Sequence, residues 1–357
     1  MTKVVVAMSG GVDSSVAAAL VKQKGYDVAG VTMKIWGGGP PGEGPRHACY
    51  GPGEQADVED ARRVADVLGI PFHVLDLSKE YESEVLDYFR AEYASGRTPN
   101  PCSRCNPRIK FGALASKVQE SGIRFDYFAT GHYARVEYDG TKGRKLLKKA
   151  KDLSKDQSYF LALLSQEQIE RSLFPVGEYT KHEVRRLAAD MGLPVAGKAD
   201  SQDFAAGGYS SLLGPSTPGP VLDSQGKYLG EHRGIAFYTI GQRKGLGFAA
   251  ATPMYVTGID PSRNAVIVGE RREVSGDRLV AADLNWIAID SLNRPTEYKA
   301  RIRYRHEEDD AFVAPLAEGK VLVKFRKPQM AITPGQTVVF YDGDVVAGGG
   351  TIERAEE

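Results

Sequence analysis

The sequence predicts an α/β N-terminal domain built on a parallel sheet, then a small central β-rich domain and a C-terminal β-barrel. Three observations carry this expectation. Residues 1 to about 200 alternate short apolar runs with helical patterns. After about residue 210 the helical period largely disappears, and from about 278 to 353 six or so strand-like runs are separated by Gly, Asn and Pro turns. The expected domain boundaries are 1–208, 209–275 and 276–357, and 357 residues are in any case too many for one core.

Each element follows in order. Val4 to Met8 reads as a strand, and Asp13 to Lys24 as a helix with Val16, Ala17 and Leu20 on one side. Tyr26 to Met33 is a second strand, Val58 to Leu68 a helix, Phe72 to Leu77 a third strand, and Phe125 to Thr130 another. Alternation of this kind implies right-handed crossovers and a parallel sheet covered on both faces, which suits the unbroken valines of the first strand. Gly37 to Gly53, with seven glycines and four prolines, reads as a long loop. Pro220 to Leu229 reads as a hairpin, 254–270 as two strands around a turn, and Asp342-Gly343 as the last hairpin turn.

Composition narrows the class. Lys and Arg number 46, as do Asp and Glu, so any polyanion must be met by local basic stripes rather than by the field of the whole molecule. No apolar run approaches the roughly 18 residues of a membrane span. Three cysteines, an odd number, argue for a reducing compartment, and no export signal is evident at the start. The expectation is a cytoplasmic protein that engages neither membrane nor DNA.

The first chemical motif is Ser9-Gly10-Gly11-Val12-Asp13-Ser14-Ser15, between the first strand and the first helix. Glycines let successive N–H groups converge on one anion, three hydroxyls add donors, and the helix turns its positive end to the same spot. Asp13 fits either a magnesium ligand or an acid of the first helical turn. There is no Walker lysine and no GxGxxG. The motif instead resembles the signature of the ATP pyrophosphatases, the PP-loop proteins with an adenine nucleotide alpha hydrolase-like fold. That resemblance implies ATP with Mg2+, and transfer of AMP to a substrate oxygen so that the oxygen can leave.

Cys102 and Cys105 form a CxxC pair, with Arg97, Arg104, Arg108 and Lys110 around it. Cations favour thiolate over thiol, so a reactive or cluster-binding pair is expected rather than structural zinc, for which no second paired spacing exists. Cys49 and His47 stand apart in the glycine-rich loop.

Taken together, Ser9–Ser15, the run from Gly96 to Pro101 with Cys105-Asn106 and Ile109-Lys110-Phe111, Ala129 to Tyr133, Lys155 to Leu161, and Tyr238 to Gly247 resemble the bacterial tRNA-specific 2-thiouridylases. Gly335-Gln336 and Tyr341 to Gly343 extend the likeness over the whole chain. It implies an enzyme that adenylates O2 of the wobble uridine in a tRNA anticodon stem-loop and replaces that oxygen with sulfur from a donor protein or sulfide. By that resemblance Ala7, Met8, Ser9, Gly10, Gly11, Val12, Asp13, Ser14, Ser15 and Met33 line the ATP site, with Gly131 near the adenosine. Asn100, Pro101 and Cys102 face the target base. His132, Lys155, Asp156, Gln157, Arg303, Tyr304 and Gln336 touch tRNA, and Cys105 is the first catalytic cysteine.

One departure stands out. The family carries a second catalytic cysteine where this chain has Ala205, within Asp200 to Gly208. Three readings follow: Cys102 and Cys105 share both sulfur-handling roles, or they hold an iron–sulfur cluster completed by Cys49 or an outside ligand, or thiolation is lost or altered. An adenylating ligase of a small metabolite, or a tRNA binder that moves no sulfur, are the competing functions. Lys142 to Lys151, with six basic residues in ten, reads equally as a solvated hairpin or a phosphate contact. Lys299, Arg301, Arg303 and Arg305 fall at strand period on one face, an arrangement that suits phosphates better than it suits stability. Arg243 and Lys244 extend that set.

Overall fold

The structure is a computed structural model that describes residues 1–38, 48–200, 203–205, 208–248, 250 and 252–356. His47, most of the glycine-rich loop, and Ser201, Gln202, Ala206 and Gly207 lie outside the described residues. The chain divides into two compact units. The first comprises Met1–Val85, Cys102–Ser211 and Asp344–Val346, and the second Leu86–Pro101, Leu212–Gly343 and Ala347–Glu357. No helix among the described residues is long and apolar enough to cross a membrane.

In the first unit the strands are β1 (Lys3–Ala7), β2 (Asp27–Lys34), β3 (Ala48–Tyr50), β4 (Phe72–Asp76), β5 (Tyr127–Thr130), β6 (Ala134–Asp139), β7 (Arg144–Lys149), β8 (Ser172–Leu173) and β9 (Asp203–Ala205). The helices that frame the site are α1 (Val12–Gln23), α2 (Glu54–Leu68) and α3 (Lys181–Asp190). A five-stranded sheet has the order β4-β2-β1-β5-β8, with β1 parallel to both neighbours. Val4, Val5 and Val6 are buried because both faces of β1 are covered. The alanines at 17, 18 and 19 are buried too, since α1 packs on the sheet and is itself covered by α3. From β1 the chain builds outward through β2 and β4, then returns to place β5 and β8 on the other side. The order therefore reverses between β1 and β5, and the crevice at their carboxyl ends is where such sheets take ligands.

Two features had no local signal. β3 and β9 are three-residue strands far apart in sequence, one within what reads as a loop and the other where no element is expected, paired in parallel with Ala48 opposite Asp203 and Tyr50 opposite Ala205. After the helix Pro101–Cys105, residues Asn106–Ala113 form a widened π-helical stretch. Gln168 Nε2 donates to Pro107 O at 2.8 Å and to Phe111 O at 3.2 Å, satisfying carbonyls within that stretch. The basic hairpin β6–β7 is largely tied down: Lys148 pairs with Glu137 and Asp344, and Lys149 is buried.

In the second unit β10 (Gly219–Asp223), β11 (Tyr228–His232), β12 (Tyr255–Asp260) and β13 (Ala265–Gly269) form a sheet of order β11-β10-β13-β12 around Val221, Val256, Val266 and Val268. The last six strands are β14 (Ser275–Trp286), β15 (Thr296–Arg301), β16 (Asp309–Pro315), β17 (Val321–Met330), β18 (Thr337–Asp342) and β19 (Val345–Glu356). They run β14-β17-β16-β15-β18-β19, and pairing of β14 with β19 closes an antiparallel barrel with no free edge. Val321, Val323 and Phe325 alternate inward along β17, at the period of two that marked these strands in the sequence.

The basic strand is corrected here. Pairing of β15 with β16 ends at Ala300 opposite Asp309, so the chain turns after Arg301 and Arg303 lies in a bend. Lys299 pairs with Asp310, Arg301 lies over the Tyr341 ring, and Arg303 donates to Ile240 O at 2.9 Å and to Thr333 Oγ1. The four cations do not share a face. Residues Leu86–Pro101, expected in the N-terminal domain, group with the β-rich unit. Thr98 N donates to Pro334 O at 2.9 Å, and Arg97 reaches the carbonyls of Ile352 and Glu353.

Candidate functional site

Ser9 to Ser15 leave β1 and enter α1 at the crevice between β1 and β5. Gly10 has φ +71° and sits so close to α2 that a methyl there would lie 2.1 Å from Asp57 O. A residue with a side chain would pay both for left-handed backbone and for that collision. Ser9 N donates to Ser14 Oγ at 3.1 Å, and Ser14 Oγ and Ser15 Oγ reach Gly11 O at 3.2 and 2.8 Å. The hydroxyls thus fold the loop on itself, while no side chain caps the first turn of α1. The N–H groups of that first turn, which form the positive end of the helix, take no side-chain cap, an arrangement that suits an oxyanion. From β5, Gly131 approaches until an added methyl would meet Ser14 N at 2.5 Å. Met8 is buried, its N–H bonded to Val31 O, and Met33 lies near the end of β2 in register with Leu75.

Charged groups from distant parts of the unit surround this loop. Lys181 Nζ binds both oxygens of Asp13 at 2.6 and 2.8 Å, and Tyr133 OH donates to Asp13 Oδ1 at 2.8 Å. The carboxylate of Asp200 joins Lys181 at 2.8 Å, Arg185 at 2.7 Å and Lys155 at 3.1 Å. Burial pushes Asp200 up, but Lys181 and Lys155 prevail and hold its pKa below the usual carboxylate value. Lys198 bridges Asp57 and Asp60 and donates to Gly10 O at 3.1 Å. Asp13 is therefore an ion-paired acid of the first helical turn. The lysines at 181 and 198, Tyr133 and Asp200 were not singled out from sequence as site groups, because each is an ordinary residue until folding brings it to the loop.

The thiols differ from expectation. Arg104 is paired with Glu84 at 3.0 Å, Arg97 with Glu92 at 2.8 Å, and Arg108 is exposed. Burial dominates instead, pushing Cys102 up to about 12 and Cys105 to about 11 from the ordinary thiol value of 9.0, with Lys110 alone pulling both down. The resting pair is protonated at neutral pH, not thiolate. Cys49 also raises both, which places it within electrostatic reach of them. Among the described residues no three His, Cys, Asp or Glu side chains gather so as to hold a metal ion.

His132 Nδ1 shares a hydrogen bond of 2.8 Å with Thr130 Oγ1, and the ring packs beside Phe111 and Phe174. Burial first, then Lys110, holds its pKa well below the usual histidine value, so the imidazole is neutral. Asp156 is buried, accepting from Ala150 N at 2.9 Å and Ser158 Oγ at 2.8 Å, and Gln157 Oε1 accepts from Tyr133 N at 2.9 Å. Gln157 thus braces Tyr133 and Asp156 holds the backbone at Ala150, while Lys155 and Gln157 are both half-buried. Asn100 and Pro101 group with the second unit and Cys102 with the first. In the second unit Gln336 Nε2 donates to Thr98 O at 2.9 Å and Pro99 O at 3.3 Å, fixing the backbone just before Asn100. Tyr304 lies one residue beyond Arg303, in the same bend.

Three family models match successive parts of the chain. A tRNA methyl transferase HUP domain covers residues 2–205, a tRNA methyl transferase PRC-barrel domain 211–270, and an aminomethyltransferase β-barrel domain 276–352. Among similar proteins, the tRNA-specific 2-thiouridylase MnmA of Moorella thermoacetica is 52% identical, with 99% of each chain covered. The corresponding protein 1 of Thermoanaerobacter sp. is 50% identical over 99% of this chain and 98% of its own. That of Pelotomaculum thermopropionicum is 48% identical over 99% and 97%.

Proposed function

Since the chain belongs to the tRNA-specific 2-thiouridylase family, we propose that it is an ATP-dependent tRNA uridine sulfurtransferase that works by adenylating O2 of the wobble uridine. The observation that carries this reading is the Ser9–Ser15 loop, with its uncapped first helical turn at the crevice where the sheet order reverses. The N–H groups of the first turn of α1 suit the β- and γ-phosphates of ATP, and Lys181, Lys198, Lys155 and Arg185 balance the carboxylates of Asp13, Asp57, Asp60 and Asp200 around them.

The chemistry follows from the leaving group. A uridine carbonyl oxygen does not leave unaided. Once it carries AMP it departs as a phosphate ester, with pyrophosphate already released. Sulfur then attacks C2, supplied through cysteine. Gly131 brings the end of β5 against the first turn of α1, and the ring of the adjoining His132 meets Phe111, in the segment that continues from Cys105. A polyanionic substrate fits the half-buried Lys155, now held by Asp200 at 3.1 Å, and phosphate contacts would position tRNA while the base is read in a pocket.

A reconstituted assay tests the reading. With ATP, a persulfide or polysulfide donor, a dithiol and tRNA carrying uridine at the wobble position, AMP, pyrophosphate and 2-thiouridine should form together. Pyrophosphate release triggered instead by a small amine or acid, with tRNA inert, would move the assignment to an adenylating ligase.

A further inference from the structure

Cys49 lies on β3, whose partner β9 carries Ala205. Tyr50 stands opposite Ala205, so Cys49 sits on the neighbouring strand at the level of Phe204. The pair of strands is fastened to the interior: Tyr50 stacks on Tyr81 with ring centroids 5.5 Å apart, and Tyr81 is 1% exposed. The helix Ser78–Tyr81 in turn packs against Asn106–Ala113, the segment that continues from Cys105. Cys105, Cys49 and Cys102 all act on the Tyr81 hydroxyl, which agrees with one shared neighbourhood for the three thiols.

The three thiols are graded in access. Cys49 is exposed, Cys102 intermediate and Cys105 buried, while Ala205 is only 2% exposed. A sulfur donor arriving from outside can therefore reach Cys49, and cannot reach position 205 without displacing its cover. Lys110 is the cation of the group. Burial pulls its pKa down, but Cys105, Cys49 and Cys102 more than offset this, and no carboxylate among the described residues pairs with it. It is placed to favour whichever thiol loses its proton.

We propose that Cys49 is the thiol that receives sulfur in this chain, taking the part that residue 205 cannot play, and that the interior Cys102–Cys105 pair supplies the thiol that resolves it. The assignment rests on the thiolation reading for the acceptor of that sulfur. A sulfane-sulfur donor, such as a persulfide or polysulfide, transfers one sulfur atom to the Cys49 thiolate; the donor S–S bond breaks as the Cys49 S–S bond forms. The terminal sulfur attacks C2 of the adenylated uridine and loses its proton, and AMP leaves with the electron pair of the C2–O bond. An interior thiol then gives up its proton and attacks Cys49 Sγ. The bond between Cys49 and the base-bound sulfur breaks toward the base, leaving a thiocarbonyl, and the two cysteines are left as a disulfide. Two thiols have been oxidised and one sulfane sulfur reduced, so an external dithiol is needed to restore the enzyme.

Mapping on the full chain decides the matter. After brief treatment with inorganic polysulfide and capping of free thiols, the peptide carrying Cys49 should be heavier by one sulfur atom. One turnover with ATP and tRNA, without reductant, should leave Cys49 disulfide-bonded to Cys102 or Cys105. Cys49→Ala should lose 2-thiouridine formation while keeping tRNA-stimulated pyrophosphate release, a split that a purely structural role for Cys49 would not produce. Added sulfur found on Cys102 or Cys105 with Cys49 unmodified overturns the proposal, as does full thiolation by Cys49→Ala. The mapping uses the unaltered protein, so a folding defect in a variant does not decide it. If the unaltered protein forms no 2-thiouridine with any donor, the thiolation reading fails, while polysulfide mapping still reports where sulfur enters.

Discussion

Lys181 grips both carboxylate oxygens of Asp13, at 2.6 and 2.8 Å, from a helix that begins 168 residues further along the chain. The ammonium is nearly enclosed, at 11% exposure, and it also serves Asp200. Without it two carboxylates would face each other beside a loop meant for phosphate. Lys181→Met should therefore lose about 2 kcal/mol of charge-assisted bonding. It should lower the thermal midpoint by roughly 2–4 °C and weaken ATP binding. A melt and an ATP titration check both; unchanged ATP affinity would remove Lys181 from the nucleotide site.

Gly10→Ala tests the loop itself. The left-handed backbone costs about 1–2 kcal/mol for any other residue, and the collision with Asp57 O comes on top. A loss of ATP affinity of at least about tenfold is expected, since tenfold corresponds to 1.4 kcal/mol. Circular dichroism should report an intact sheet. Normal ATP binding by this variant would mean that phosphate is held elsewhere.

The thiols make a prediction in pH. Cys102 and Cys105 hold their protons up to about 12 and about 11 in the folded chain, against 9.0 for an ordinary thiol. Above pH 9 the unfolded chain releases those protons first, so stability falls as pH rises from 9 toward 11–12. Iodoacetamide at neutral pH should label the exposed Cys49 first, with Cys102 and Cys105 slow and quickening well past pH 9. Rapid labelling of all three at neutral pH would contradict the burial that sets these values.

Neighbours in sequence should separate into different classes. Lys155→Ala should weaken tRNA binding evenly across sequences and reduce the salt slope by about one, as loss of one phosphate contact does. Asp156→Ala removes the acceptor for Ala150 N and Ser158 Oγ, and should cost about 1–3 kcal/mol of stability. Filter binding across a salt series, beside thermal melts, distinguishes them.

Much of this was legible because it is local. The valines of β1, the glycine–serine turn after it, and the alternation of Val321, Val323 and Phe325 each announce their element within a few residues. What could not be read depends on distance. β3 and β9 are too short to carry a pattern, and their pairing joins segments more than 150 residues apart. Lys181, Lys198 and Asp200 gain meaning through partners far along the chain. The basic strand failed because the end of β15 is set by its register with β16, which charge spacing does not reveal. The cysteine environment failed for a similar reason: Arg104 was counted as free, yet folding gives it Glu84.

The most direct measurement follows one oxygen atom. A tRNA whose wobble uridine carries oxygen-18 at O2 is turned over with ATP and a sulfur source, and the AMP is analysed by mass spectrometry. Adenylation of the base predicts that the label appears in AMP as 2-thiouridine forms. Label in inorganic phosphate or in water, with unlabelled AMP, would show that the uridine oxygen leaves by another route.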